Sequence, residues 1–68
     1  QARIMIWELY EVWTIEFDGH EELVDTTNSL KEAQLLAKES LTDDILEVII
    51  YKEDEEGELV EVEVIRGP

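Results

Sequence analysis

The hydrophobic period of this chain changes twice, which restricts it to a mixture of sheet and helix. Leu59 to Arg66 (LVEVEVIR) alternates with a period of two, so a half-buried strand would put Val60, Val62 and Val64 on one face and Glu61 and Glu63 on the other. Ser29 to Leu41 (SLKEAQLLAKESL) instead repeats at helical spacing, with Leu30, Ala33, Ala37 and Leu41 on one stripe, Leu36 at its margin and Leu35 pointing away. Ser29 followed by Glu32 fits a capping box, in which hydroxyl and carboxylate each satisfy an amide of the first turn. The small residues at the centre of the stripe suit close approach to a sheet.

The flanking segments return to strand composition. Ile4 to Phe17 (IMIWELYEVWTIEF) is rich in β-branched and aromatic residues and reads as one long strand. Its odd positions Met5, Trp7, Leu9, Trp13, Ile15 and Phe17 are apolar with only Glu11 interrupting, so the odd face is expected to meet the core. The even positions Ile4, Ile6, Tyr10 and Val12 are apolar as well, which leaves the second face without a plain solvent character. Asp18-Gly19 suits a two-residue type I′ hairpin, and Glu21 to Thr26 forms the returning strand. After the helix, Thr42 to Asp44 makes a loop, Ile45 to Glu53 a third strand with Leu46, Val48 and Ile50 on one face, and Asp54 to Gly57 a turn into the fourth.

The order β-β-α-β-β predicts an α+β fold: a two-layer sandwich in which a four-stranded, mainly antiparallel sheet carries one helix packed on one face, with residues 1–68 as a single small domain. The expected core is Trp7, Leu9, Trp13, Ile15, Phe17, Leu30, Ala33, Ala37, Leu41, Leu46, Val48, Ile50, Val60, Val62 and Val64.

Composition narrows the function classes. The 68 residues contain no Cys, which removes a disulfide framework, a thiolate zinc site and a cysteine nucleophile together. Nineteen Asp and Glu against five Lys and Arg give a net charge of −14, which opposes direct binding to nucleic acid or an anionic membrane and favours a basic partner. Apolar runs are too short to span a bilayer and the first residues lack a signal peptide's basic region, so a soluble, cytoplasmic protein is expected.

Candidate chemistry is sparse. The single histidine, His20, directly follows the Asp18-Gly19 turn and reads as an exposed hairpin residue, since nothing in the spacing brings it to a Ser nucleophile. No catalytic role and no cofactor are expected. Asp54, Glu55, Glu56 and Glu58 crowd one loop, but the run lacks the alternating ligands of an EF-hand, so it reads as a solubilising turn and no metal site is expected.

Charge distribution is the more informative feature. Glu61 and Glu63, if they leave one face of a strand, stand about 6.5 to 7 Å apart, a spacing comparable with successive phosphates of a nucleic-acid strand. The leading expectation is therefore a non-enzymatic acidic protein that binds and blocks a basic, nucleic-acid-handling partner as a DNA mimic. Its acceptors for Arg and Lys would be Asp18, Glu21 and Glu22 at one hairpin and Asp54, Glu55, Glu56, Glu58, Glu61 and Glu63 at the other. In size, charge and element order the chain resembles bacteriophage-encoded inhibitors of host defence.

The alternative is a small homo-oligomeric (in the simplest case homodimeric) or adaptor sheet domain whose acidity serves solubility, with Ile6, Tyr10, Ile49 and Tyr51 as buried interface contacts on the outer sheet face. The segment DTTNSLKEAQLLAKESL, about a quarter of the chain, resembles the hairpin-to-helix part of small antitoxin-like β-β-α domains. It lacks their Pro-Gly-rich strand connection, and no functional residue carries across.

Overall fold

A computed structural model describes residues 8–67 of the chain. Its elements are β1 (Tyr10–Glu16), β2 (Glu21–Thr27), α1 (Leu30–Ser40), β3 (Ile45–Glu53) and β4 (Leu59–Arg66). They form one antiparallel sheet in the order β2-β1-β3-β4, with the helix against β1, β3 and β2. The expected α+β architecture is the one observed. The first part of the long strand expected from Ile4, including Ile6 and Trp7, lies outside the described residues. No helix among the described residues is long and apolar enough to cross a membrane.

Local chemistry explains where α1 begins. The Ser29 hydroxyl accepts the Glu32 amide at 3.4 Å, as the capping box requires. The reciprocal half is routed differently: Glu32 Oε2 accepts the Thr27 hydroxyl at 2.9 Å, and Thr27 Oγ1 in turn accepts the Ser29 amide at 3.2 Å. Thr27 therefore relays between carboxylate and cap, and ties the end of β2 to the first turn of the helix.

Both hairpins close by the same device. Gly19 N–H donates to Glu16 O at 2.9 Å and Glu16 N–H to His20 O at 2.8 Å; Gly57 N–H donates to Asp54 O at 3.0 Å and Asp54 N–H to Glu58 O at 2.8 Å. Positive φ occurs among the described residues only at Gly19 (+92°) and Gly57 (+83°). The Asp18-Gly19 turn is therefore not type I′, which needs positive φ at Asp18 too; it is a longer loop with one left-handed glycine, the geometry of a type I turn followed by a bulge. Asp18 Oδ1 accepts the His20 amide at 2.9 Å, and Asp54 Oδ1 accepts the amides of Glu56 and Glu58, both at 2.9 Å. Side-chain bonds of this kind hold each turn without a second special backbone conformation.

The core differs from the expected one in which face of the sheet it uses. Tyr10, Val12, Val48 and Ile50 are buried against Ala33 and Ala37, with Leu30, Leu36, Leu41, Ile45 and Ile65 packed around them. The even face of β1 thus meets the helix, and Trp13 and Ile15 take the opposite side. Phe17, at 66% exposure, stands in the hairpin. The reason lies in connectivity. With β1 between them, β2 and β3 run parallel, so β2-α1-β3 is a crossover, and such connections are right-handed in ~98% of sheets. Handedness assigns the covered side of the sheet from the strand order, and the pairing register of β1 puts Tyr10, Val12 and Thr14 on that side.

Three register shifts complete the correction. They leave Val24, Leu46 and Val62 without a direct partner opposite β1, β1 and β3 respectively. Each reverses the in-out parity of the residues beyond it. Beyond Leu46 the packed residue is Ile45, and Leu46 is exposed. On β4 the covered face receives Ile65 and Glu63, opposite Val48 and Ile50, while Val60, Val62 and Val64 are all exposed rather than core.

Candidate functional site

The face of the sheet away from the helix carries a continuous apolar row. Leu23 of β2 pairs with Trp13 of β1, Trp13 with Ile49 of β3, and Ile49 with Val64 of β4, so one row crosses all four strands. Directly paired residues share a face and lie in side-chain contact range, and three strand spacings give the row a length of about 14 Å. Ile49 is 8% exposed at its centre, whereas Leu23 and Val64 at its ends are 43% and 37% exposed.

Acidic rows flank it on both sides. One runs Glu21, Ile15, Glu47, Arg66 and the other Thr26, Glu11, Tyr51, Glu61. Arg66 Nε lies 3.3 Å from Glu47 Oε2, so that cation is engaged within the face. Trp13 Nε1 donates to Glu11 Oε1 at 2.9 Å, which fixes the indole and turns its ring edge to the rim. The phenol of Tyr51 is held above its ordinary pKa, first by burial and then by the negative charges of Glu21, Glu61 and Glu47. Lys31 and Lys38 are exposed on the helix, the other layer of the fold.

The interface residues expected from sequence separate. Ile49 and Tyr51 belong to the open face, Tyr10 is buried beneath the helix at 5% exposure, and Ile6 lies outside the described residues. Tyr10 is held there by its hydroxyl, which donates to Glu8 Oε2 at 2.7 Å, while Lys52 Nζ lies 3.6 Å from the other Glu8 oxygen. The bond from Tyr10, followed by the Lys52 charge, holds the Glu8 carboxyl below its usual range; the Tyr10 phenol is raised, first by the same bond and then by burial.

The nine carboxylates expected to act together do not form one ladder. Because β3 runs antiparallel to β1, the hairpin carrying Asp18 and the hairpin carrying Asp54, Glu55, Glu56 and Glu58 are at opposite ends of the sheet. Glu21 and Glu61 face the open side, opposite Ile15 and Tyr51, whereas Glu22 and Glu63 pair with the buried Thr14 and Ile50 on the helix side. The shift at Val62 puts Glu61 and Glu63 on different faces, and Glu63 Oε1 accepts the Gln34 side-chain amide of the helix at 3.0 Å. Trp13, Leu23, Val64, Glu11 and Glu47 are the members of the open face that sequence reasoning missed. The signal for them was the apolar character of both faces of β1, which one helix cannot cover.

No family model, curated protein or solved structure significantly matches the chain.

Proposed function

We propose that this chain is a non-enzymatic, acidic interaction domain that docks a basic partner protein on its helix-free sheet face. The observation that carries the reading is the Leu23-Trp13-Ile49-Val64 row framed by carboxylates. An apolar centre with a charged rim is the layout of a protein interface: the centre contributes by leaving water, and the rim sets partner sign and encounter rate. A central tryptophan fits, since Trp dominates the affinity of many interfaces.

The rim selects against a second copy of the chain. Two such faces meeting would bring like-charged rows within the Debye length of about 8 Å at physiological salt, each copy carrying a net charge of −14. A surface of Arg and Lys meets the same rim favourably. Proteins that handle nucleic acid present such a surface, and docking there would block access of the polyanion.

The test uses Trp13 as reporter, in a Trp7→Phe background that removes the other indole. Immobilised chain should capture basic nucleic-acid-binding proteins at low salt and release them to high salt or to added double-stranded DNA. Binding of a purified captured protein should shift Trp13 emission. Trp13→Ala should abolish capture while Leu35→Ala, on the exposed side of the helix, leaves it intact. Equal capture by Trp13→Ala, or a concentration-dependent dimer in sedimentation that Trp13→Ala dissolves, would overturn the reading.

A further inference from the structure

The base of the β1-β2 hairpin gathers the chain's single imidazole between two carboxylates, and we propose that Glu16, His20 and Glu22 form a binding site for a borderline divalent transition ion of the Zn²⁺ class. The inference is separate from the docking face, which lies on the other side of the sheet. His20 Nε2 is 3.8 Å from Glu16 Oε2 and 3.8 Å from Glu22 Oε2, and the three ligand atoms all lie within 4.8 Å of one another.

Backbone geometry makes this convergence a property of the strand pair rather than of side-chain chance. The Glu16 amide donates to the His20 carbonyl at 2.8 Å, so these two residues face each other across the hairpin. Glu22 lies two residues beyond His20, and Thr14, its partner across the strands, lies two residues before Glu16. A period of two therefore puts all three side chains on one face, in neighbouring rows. The hairpin is pinned beside them by the Gly19 turn and by the Asp18 bond to the His20 amide at 2.9 Å.

Ligand chemistry selects the ion. One imidazole nitrogen with two carboxylate oxygens suits Zn²⁺ and its neighbours, whereas Ca²⁺ and Mg²⁺ take oxygen ligands and gain nothing from imidazole. Bond lengths of about 2.0 to 2.1 Å in a tetrahedral centre place ligand atoms about 3.3 Å apart, so the observed separations close by side-chain torsion alone. The exposed ends of His20 and Glu22 leave that torsion free. Three protein ligands leave a fourth position for water.

Calorimetric titration of the full chain with ZnSO₄ in neutral buffer tests the site, with MgCl₂ as competitor. The expected result is one equivalent of Zn²⁺ bound, affinity lowered at least about tenfold in His20→Ala and also lowered in Glu22→Gln. Binding should be unchanged in Glu56→Gln, which removes one charge at the opposite hairpin. The His20 ring resonances should move with the first equivalent. His20 is exposed, so circular dichroism should show His20→Ala folded. Equal affinity in wild type and His20→Ala, displacement by a modest excess of Mg²⁺, loss in Glu56→Gln equal to that in Glu22→Gln, or no binding heat would each mean diffuse counterion attraction or none, and would overturn the site.

Discussion

Val12 and Val60 are a matched pair whose truncation separates the observed fold from the one that simple alternation suggests. Val12 is fully buried beneath the helix, opposite Ile50, whereas Val60 is 52% exposed on edge strand β4. Val12→Ala removes two buried methyl groups, worth about 1.6 kcal/mol of transfer free energy at about 0.8 each. A residual cavity of about 50 Å³ adds about 1 kcal/mol, giving a total loss of about 2.5 kcal/mol. A chain of this size has about 5 kcal/mol in all, so half its stability would go, and the melting temperature would drop by about 10 to 20 °C. Val60→Ala should cost about 0.5 kcal/mol or less. Urea denaturation followed by circular dichroism, with the same slope for all three proteins, measures both losses. The core expected from alternation contained Val60 and left Val12 outside, so it predicts the reverse ranking. A Val60→Ala loss equal to or greater than that of Val12→Ala would refute the face assignment and the docking surface built on it.

Other expectations rest on local geometry. Gly19→Ala and Gly57→Ala each put a side chain at positive φ and should cost about 1 to 2 kcal/mol by the same denaturation assay, although nothing lies within 4 Å of a Cβ at Gly19. Ser29→Ala removes the helix cap and should cost about 1 kcal/mol, with Thr27→Val adding less than its own single loss because both feed one hydrogen-bond relay. Both tyrosines should ionise above the free phenol value in an ultraviolet titration. Their folded pKa values are raised, so the associated stability is whole below the unfolded value near pH ~10 and falls as pH rises through the folded ones. Tyr51→Phe should remove part of that alkaline loss. Glu8 behaves oppositely: its lowered pKa gives stability present above the usual carboxylate range and lost as pH falls through the folded value, a loss that Glu8→Gln should abolish.

Much of this molecule is written locally. Ser29 and Glu32 mark the start of the helix, and Gly19 and Gly57 mark the two reversals, because each solves a backbone problem within four residues of itself. The switch from a period of two to a helical period and back places every element in order. The Gly19 hairpin shows how far such reading reaches: a turn at Asp18-Gly19 was legible, but its type was not, since one or two positive-φ residues are both open to that dipeptide. The candidate site was harder. Tyr10 and Trp13 are equally suited to a core, and one helix with an Ala33-Ala37 stripe can cover only one of the two faces they define.

Element order, turn positions, the capped helix and the excess of negative charge come from residues close together in the chain, where period and side-chain bonding act directly. Which side of the sheet the helix covers depends on the hand of the β2-α1-β3 crossover, the register of β1 decides that Val12 rather than Trp13 lies beneath it, and the shifts at Val24, Leu46 and Val62 turn over the ends of the other three strands. Those are relations between strands distant in sequence. In β1 both alternating sets, Tyr10 and Val12 on one side and Trp13 and Ile15 on the other, are apolar, so alternation there does not mark the inward face; packing against the rest of the molecule does.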